Sequence, residues 1–184
     1  MSDYFVVLSN LSSIPCVLYY AYMKKYYYSM QILLASSFSL LHHMINTNTY
    51  IIHDNGLFFL LDGVYSYLSI YIFSIYLLLL NHDKLIGEQS IVSTIILIFS
   101  YMGITSYIVI PCVIIITLFI FALNYNQMNK YNTNYLLIIT ILCIIELGFF
   151  FGAVNNNYNY YHSIHHLIVF NIPIFVDKAI VIST

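Results

Sequence analysis

The sequence predicts an all-α membrane protein, a bundle of seven transmembrane helices with the N-terminus outside or luminal and the C-terminus cytoplasmic. Three observations predict it. Hydrophobic residues make up 61% of the 184-residue chain and charged residues 7%, with a mean hydropathy of +0.87; a soluble domain carries about 25% charged residues. The apolar residues gather into repeated runs, and at about 20 residues per span the length allows at most seven or eight. The basic residues, all five of them lysines, fall on one side of the topology that these runs define.

The first span runs from about Tyr4 to Met23 and stops at Lys24-Lys25; the second runs from Tyr26 to Met44. A polar loop, Asn46 to Asn55, precedes a long third span, Gly56 to Leu80, which carries Asp62. After the short loop Asn81-His82-Asp83-Lys84 come span four, Gln89 to Met102, a turn around Gly103 to Ser106, and span five, Tyr107 to Leu123, with Pro111 near its start. The Asn-rich loop Asn124 to Asn134 leads to span six, Tyr135 to Val154, which holds Glu146. A loop, Asn155 to Tyr160, opens onto the last span, Tyr161 to Val176. No internal repeat and no long linker divides the chain, so residues 1–184 are expected to form a single domain.

Lys24, Lys25, Lys84, Lys130 and Lys178 all lie in the odd-numbered loops or after span seven. The positive-inside rule makes that side cytoplasmic. Merging spans four and five would move Lys130 and Lys178 to the other side, so the lysines select seven spans. The protein is therefore expected to be integral and multi-pass, in the plasma membrane or an endomembrane. No basic stretch exists, which argues against nucleic acid as a partner. Cys16, Cys112 and Cys143 lie within apolar runs without paired spacing and read as reduced core residues. No positive segment precedes the first apolar run, so no cleaved signal peptide is expected. Phosphate-binding glycine loops, nucleophile elbows and cysteine metal motifs are absent.

Ionisable groups inside spans are costly and mark functional sites. The densest cluster is Tyr161-His162-Ser163-Ile164-His165-His166. His162 and His166, four apart, share a helix face, a spacing at which one helix can give a metal two imidazoles; His165, three from His162, is an alternative partner. Span two ends Ser39-Leu40-Leu41-His42-His43, with Ser39 and His43 on one face. The lysine topology puts His43, Asp62, His162 and His166 at similar depth on three helices. A histidine near a span end can simply sit wet among headgroups, and His42, about 100° round the helix from His43, is read as such an interfacial residue. His53 and His82 are loop residues. The four matched residues together point to one site, a zinc ion held by His43, His162 and His166. Three neutral imidazoles leave a fourth tetrahedral position for water, whose pKa zinc can lower from ~15.7 to ~7. Asp62 then suits a general base. Ser39 suits a hydrogen bond to the water or to a developing oxyanion. The expected reaction is hydrolysis of an ester or amide presented from the lipid. Glu146 has no assigned role, Pro111 and Pro173 read as kinks, and the tyrosines read mostly as interface belt or packing.

This constellation resembles the CREST superfamily, which contains alkaline ceramidases, progestin and adiponectin receptors, GPI-remodelling proteins and the transmembrane protein 8/myomaker group. The resemblance rests on Ser39-Leu40-Leu41-His42-His43, on Asp62, and on His162-Ser163-Ile164-His165-His166. The last is similar to the His-Ser-Ile-Trp-His of the myomaker group, with His165 in place of Trp. Leu60-Leu61-Asp62-Gly63-Val64-Tyr65-Ser66 also resembles that group's third helix. The resemblance covers the seven-helix core. It implies that His43, His162 and His166 bind Zn2+, that Asp62 and Ser39 attend the water, and that His165 is a bystander. It implies hydrolase chemistry on a membrane lipid, ceramidase-like or phospholipase-like. The superfamily also includes receptors and fusion proteins. The alternative it implies is a non-catalytic, myomaker-type protein in which the metal braces helices two and seven.

Overall fold

Proline and small polar side chains decide where these helices break, and long apolar runs decide where they continue. A computed structural model describes residues 4–46, 57–77, 130–155 and 158–180. They form helices and turns, with one isolated antiparallel bridge between Tyr131 and Ile180. The predicted spans four and five lie outside the described residues, as do Lys84, Pro111, Cys112, His53 and His82.

The first predicted span is helical from Tyr4 to Tyr22 in three pieces: α1 (Tyr4–Ser9), a 3-10 turn (Asn10–Ser13) and α2 (Ile14–Tyr22). Pro15 causes the irregularity. It lacks the N–H that an α-helix would offer to the Leu11 carbonyl, and it is tolerated because it sits in the first turn of α2. The Ile14 N–H turns to the Leu11 carbonyl instead. Short polar side chains supply further donors to the backbone: Asn10 Nδ2 bonds the Val6 carbonyl at 3.1 Å and Ser13 Oγ the Asn10 carbonyl at 2.9 Å. The end of α2 is a Schellman-type stop. Lys24 takes a left-handed backbone (φ 59°), its N–H bonds the Ala21 carbonyl at 3.0 Å, and the Lys25 N–H bonds the Tyr20 carbonyl at 2.8 Å.

Helix α3 (Tyr26–Asn46) follows at once and packs on α2 and on α4 (Leu57–Leu77). Helix α5 (Thr133–Asn155) starts at Asn132, whose Oδ1 accepts the Asn134 N–H at 3.1 Å as an N-cap. The last predicted span is two helices, α6 (Tyr158–Val169) and α7 (Ile172–Ala179), separated by a turn at Phe170–Asn171. Two expectations are corrected here. The loop at Asn155 to Tyr160 is shorter, because α5 runs through Asn155 and α6 begins at Tyr158. The last span is broken rather than kinked: Pro173 cannot donate to the Val169 carbonyl, and Asn171 caps the end of α6 by donating from Nδ2 to the Leu167 carbonyl at 2.9 Å.

By length and composition, the stretch Tyr4–Tyr22 is apolar and long enough to cross a membrane, and Leu57–Phe73 and Thr133–Phe149 are shorter apolar helices. The core lies where α2, α3, α4 and α7 meet. Tyr20 and Ile72 are fully enclosed there, and Tyr20, Tyr28 and Phe73 pack with ring centroids 5.6–5.7 Å apart. Residues 24–25, 76–77, 131–132 and 177–180 meet at one end of the bundle. The Tyr131 hydroxyl donates to the Leu77 carbonyl at 2.5 Å, and the Asn132 N–H to the Ala179 carbonyl at 2.8 Å. Histidines from α3 and α6 meet elsewhere, around His43.

Candidate metal centre

Along α6 and into the turn that ends it, the residues Tyr158, His162, His166 and Phe170 recur every four positions and form one aromatic ridge. Tyr158 stacks on His162 with centroids 4.7 Å apart, His162 meets His166 edge-on at 4.5 Å, and His166 meets Phe170 at 5.5 Å. Ser163 is fully enclosed and donates to the Asn159 carbonyl at 2.6 Å. This ridge faces the end of α3, where His43 is buried.

The three predicted ligands come together. His43 lies 4.9 Å from His162 and 5.3 Å from His166 between ring centroids. One ligand nitrogen from each of His43, His162 and His166 lies within 4.8 Å of the other two, so the group could hold a metal ion. The Nε2 atoms of His43 and His162 are 3.1 Å apart. A tetrahedral zinc with Zn–N of 2.0–2.1 Å places its ligand nitrogens roughly 3.3 Å apart. One pair already has about that separation, and all three nitrogens lie within 4.8 Å of one another. An all-imidazole set in a buried position suits zinc or a similar transition metal better than calcium or magnesium, which favour oxygen.

Ser39 and Asp62 border the three rings. Ser39 Oγ lies 3.3 Å from His166 Nε2 and also reaches the Asp62 carboxylate. Ser66, one turn beyond Asp62, donates to its Oδ1 at 3.4 Å. One hydroxyl therefore connects the carboxylate of α4 to a ring of the candidate group on α6.

Two other histidines occupy positions that sequence reasoning placed differently or left open. His42, expected at the interface, is buried. Helix α3 is covered on more than one side, and Phe59 of α4 packs on the His42 ring at 5.3 Å. His165, the bystander among the three histidines of α6, points to α5, where its Nδ1 lies 2.7 Å from Glu146 Oε1. This contact gives Glu146 a partner that its sequence position did not suggest.

Sequence reasoning also missed the contribution of span one. Ser9 Oγ lies 2.9 Å from His166 Nδ1, and Ser12 Oγ donates to the His166 carbonyl at 3.1 Å. The available signal was the polar run Ser9-Asn10-Leu11-Ser12-Ser13 inside an otherwise apolar segment. A family model described as "Protein of unknown function (DUF3522)" matches residues 1–167, a stretch that holds every residue of this centre. No curated protein matches the chain.

Proposed function

The chain belongs to the DUF3522 family, and we propose that it is a seven-span, CREST-like membrane protein that uses zinc to hydrolyse an amide or ester bond of a membrane lipid. The multi-pass reading draws support from the outer faces of the helices. Leu18, Leu137 and Ile144 are each more than 60% exposed, a surface that suits lipid. The positive-inside rule puts the end that carries Lys24 and Lys25 in the cytoplasm and His43 toward the outer or luminal leaflet.

His43, His162 and His166 would hold the ion. Zinc there supplies a Lewis acid that draws the pKa of water from ~15.7 toward ~7. Asp62 accepts a proton from the attacking water and returns it to the departing amine or alkoxide, leaving a fatty acid as the other product. Ser39 Oγ orients the water or donates to the oxyanion that develops on the carbonyl. The observation that carries this reading is the position of Ser39, in contact with both His166 and Asp62. A carboxylate and a hydroxyl beside the ligands are the groups a hydrolytic metal uses to move a proton and to meet a developing oxyanion.

Metal analysis of purified protein, paired with lipid profiling of expressing cells, tests it. Wild type should carry about one zinc per chain. His162→Ala should lose metal and hydrolysis together. Asp62→Ala should keep the metal and lose about 10²–10⁴-fold in rate, the usual weight of a general base. Wild-type protein without stoichiometric zinc ends the proposal.

The second reading, a non-catalytic protein with a structural zinc, draws on the mutual packing of the three rings, which ties α3 to α6. It expects Asp62→Ala to retain function while each ligand substitution lowers folding or surface expression.

A further inference from the structure

We infer that Ser9, in the first helix, fixes the tautomer of His166 and so aims its Nε2 at the metal position. The inference takes its purpose from the zinc reading above, but its geometry stands independently.

Ser9 Oγ lies 2.6 Å from the Val6 carbonyl oxygen and 2.9 Å from His166 Nδ1. A hydroxyl has one proton, and a carbonyl oxygen can only accept. The Ser9 proton therefore points to Val6, and the oxygen presents a lone pair to His166. Nδ1 must carry the hydrogen that fills this gap. The Val6 carbonyl also faces the ring as a second acceptor. A neutral imidazole has a single N–H, so Nε2 is left with its lone pair. Nε2 is the nitrogen that faces Ser39 Oγ.

Burial makes the arrangement firm. Ser9 is 6% exposed and His166 3%, so water does not compete for either atom. Span one also holds the backbone of the same residue, through Ser12 Oγ on the His166 carbonyl. Ring and main chain are thus gripped by side chains three positions apart on one helical stretch. A ligand histidine whose second N–H is held by a fixed acceptor is the usual way a protein sets ring orientation and basicity at a metal. Ser9 is a positioning residue, since it acts through His166 and touches neither metal nor substrate.

The test compares full-length wild type, Ser9→Ala and Ser9→Thr in detergent micelles, with histidine ring nitrogens labelled and the His166 signals assigned by their absence in His166→Gln. In metal-free protein, nitrogen NMR shifts should place the proton on Nδ1 in wild type and Ser9→Thr, and show exchange between tautomers in Ser9→Ala. Cobalt(II) then serves as the probe. Ser9→Ala should bind it about tenfold more weakly, the low end of the ~10–100-fold loss for an outer-shell partner, because the Val6 carbonyl remains. Its visible spectrum should change, and Ser9→Thr should restore both affinity and spectrum. A His166 proton on Nε2 in metal-free wild type overturns the inference, as does cobalt binding in Ser9→Ala that matches wild type in affinity and spectrum. Wild type that binds no cobalt removes the metal reading alone, and the NMR comparison still decides the tautomer.

Discussion

His42 and His43 are adjacent and both buried, yet only His43 meets the rings of α6 in the ligand group. Their 100° separation on the helix sends His42 to Phe59 and His43 to His162. On α6, likewise, His165 lies beside Glu146 while its neighbour His166 joins the group. Position on the helix face, more than proximity in sequence, should decide the effect of substitution. We expect His42→Ala and His165→Ala to keep the metal. His43→Ala, His162→Ala and His166→Ala should each weaken it by more than the roughly 10–100-fold typical of an outer-shell loss. Zinc per chain, followed by competition with a chelator of known affinity, measures both classes; a His42→Ala protein stripped of metal would contradict the assignment. The histidine group was legible in the sequence because the i, i+4 spacing of His162 and His166 is a local property, and lysine parity gave His43 an expected depth that matched theirs. Ser9 was not legible as a partner. It contacts a residue 157 positions away, and a serine in an apolar helix usually does no more than bond its own backbone.

Among the described residues the helices were legible where apolar runs are long, and Tyr26–Asn46 and Thr133–Asn155 lie within two residues of their predicted limits. The break in the last span was less so. Pro173 marks the disturbance, but its effect falls upstream, at the Val169 carbonyl it cannot serve and the residues before it. Which turn gives way depends on available donors: Asn171 offers Nδ2 to Leu167, and Ser12 offers Oγ to the His166 carbonyl. Without such partners a break among apolar helices would leave bare carbonyls, and apolar surroundings cannot satisfy them. The other sharp stop, at Lys24, uses a left-handed backbone at a lysine. A side chain there costs about 1–2 kcal/mol relative to the right-handed conformation, and glycine avoids the clash while losing more freedom on folding. Lys24→Gly should therefore stabilise the hairpin of α2 and α3 by up to about 1 kcal/mol, seen as a raised thermal midpoint in micelles. A fall in the midpoint would show that the lysine side chain contributes more than its strained backbone removes.

Among the described residues, the first helical stretch, Tyr4–Tyr22, lies against α6 and α7 and splints the break between them. Ser9 and Ser12 hold His166 on α6, while the hydroxyls of Tyr20 and Tyr19 donate to the Pro173 carbonyl at 2.5 Å and to Asp177 Oδ2 at 2.6 Å on α7. At the same end Lys25 and Tyr76 bond Asp177 Oδ1, so one carboxylate joins α2, α3's leading turn, α4 and α7. Asp177 lies just beyond the expected end of span seven. Burial works to raise its pKa, but hydrogen bonds from Lys25, Tyr19 and Tyr76 and the lysine's charge outweigh it, and the carboxyl titrates below its usual value. The folded pKa is thus lower than the unfolded one, ~3.9. The clamp's contribution is complete above that unfolded value and is lost as pH falls through the folded one; between the two, the unfolded chain binds more protons and stability rises with pH. Asp177→Asn should flatten this acid limb and cost about 2 kcal/mol at neutral pH. That is less than the ~3–5 kcal/mol of a fully buried broken pair, because the Lys25 side chain stays 27% exposed and can turn to water. The double variant Lys25→Met, Asp177→Leu, which leaves no charge unpaired, should recover most of the loss. Thermal midpoints of the three proteins measured from roughly pH 3 to 7 decide the matter: an acid limb equally steep in Asp177→Asn would place the titrating group elsewhere.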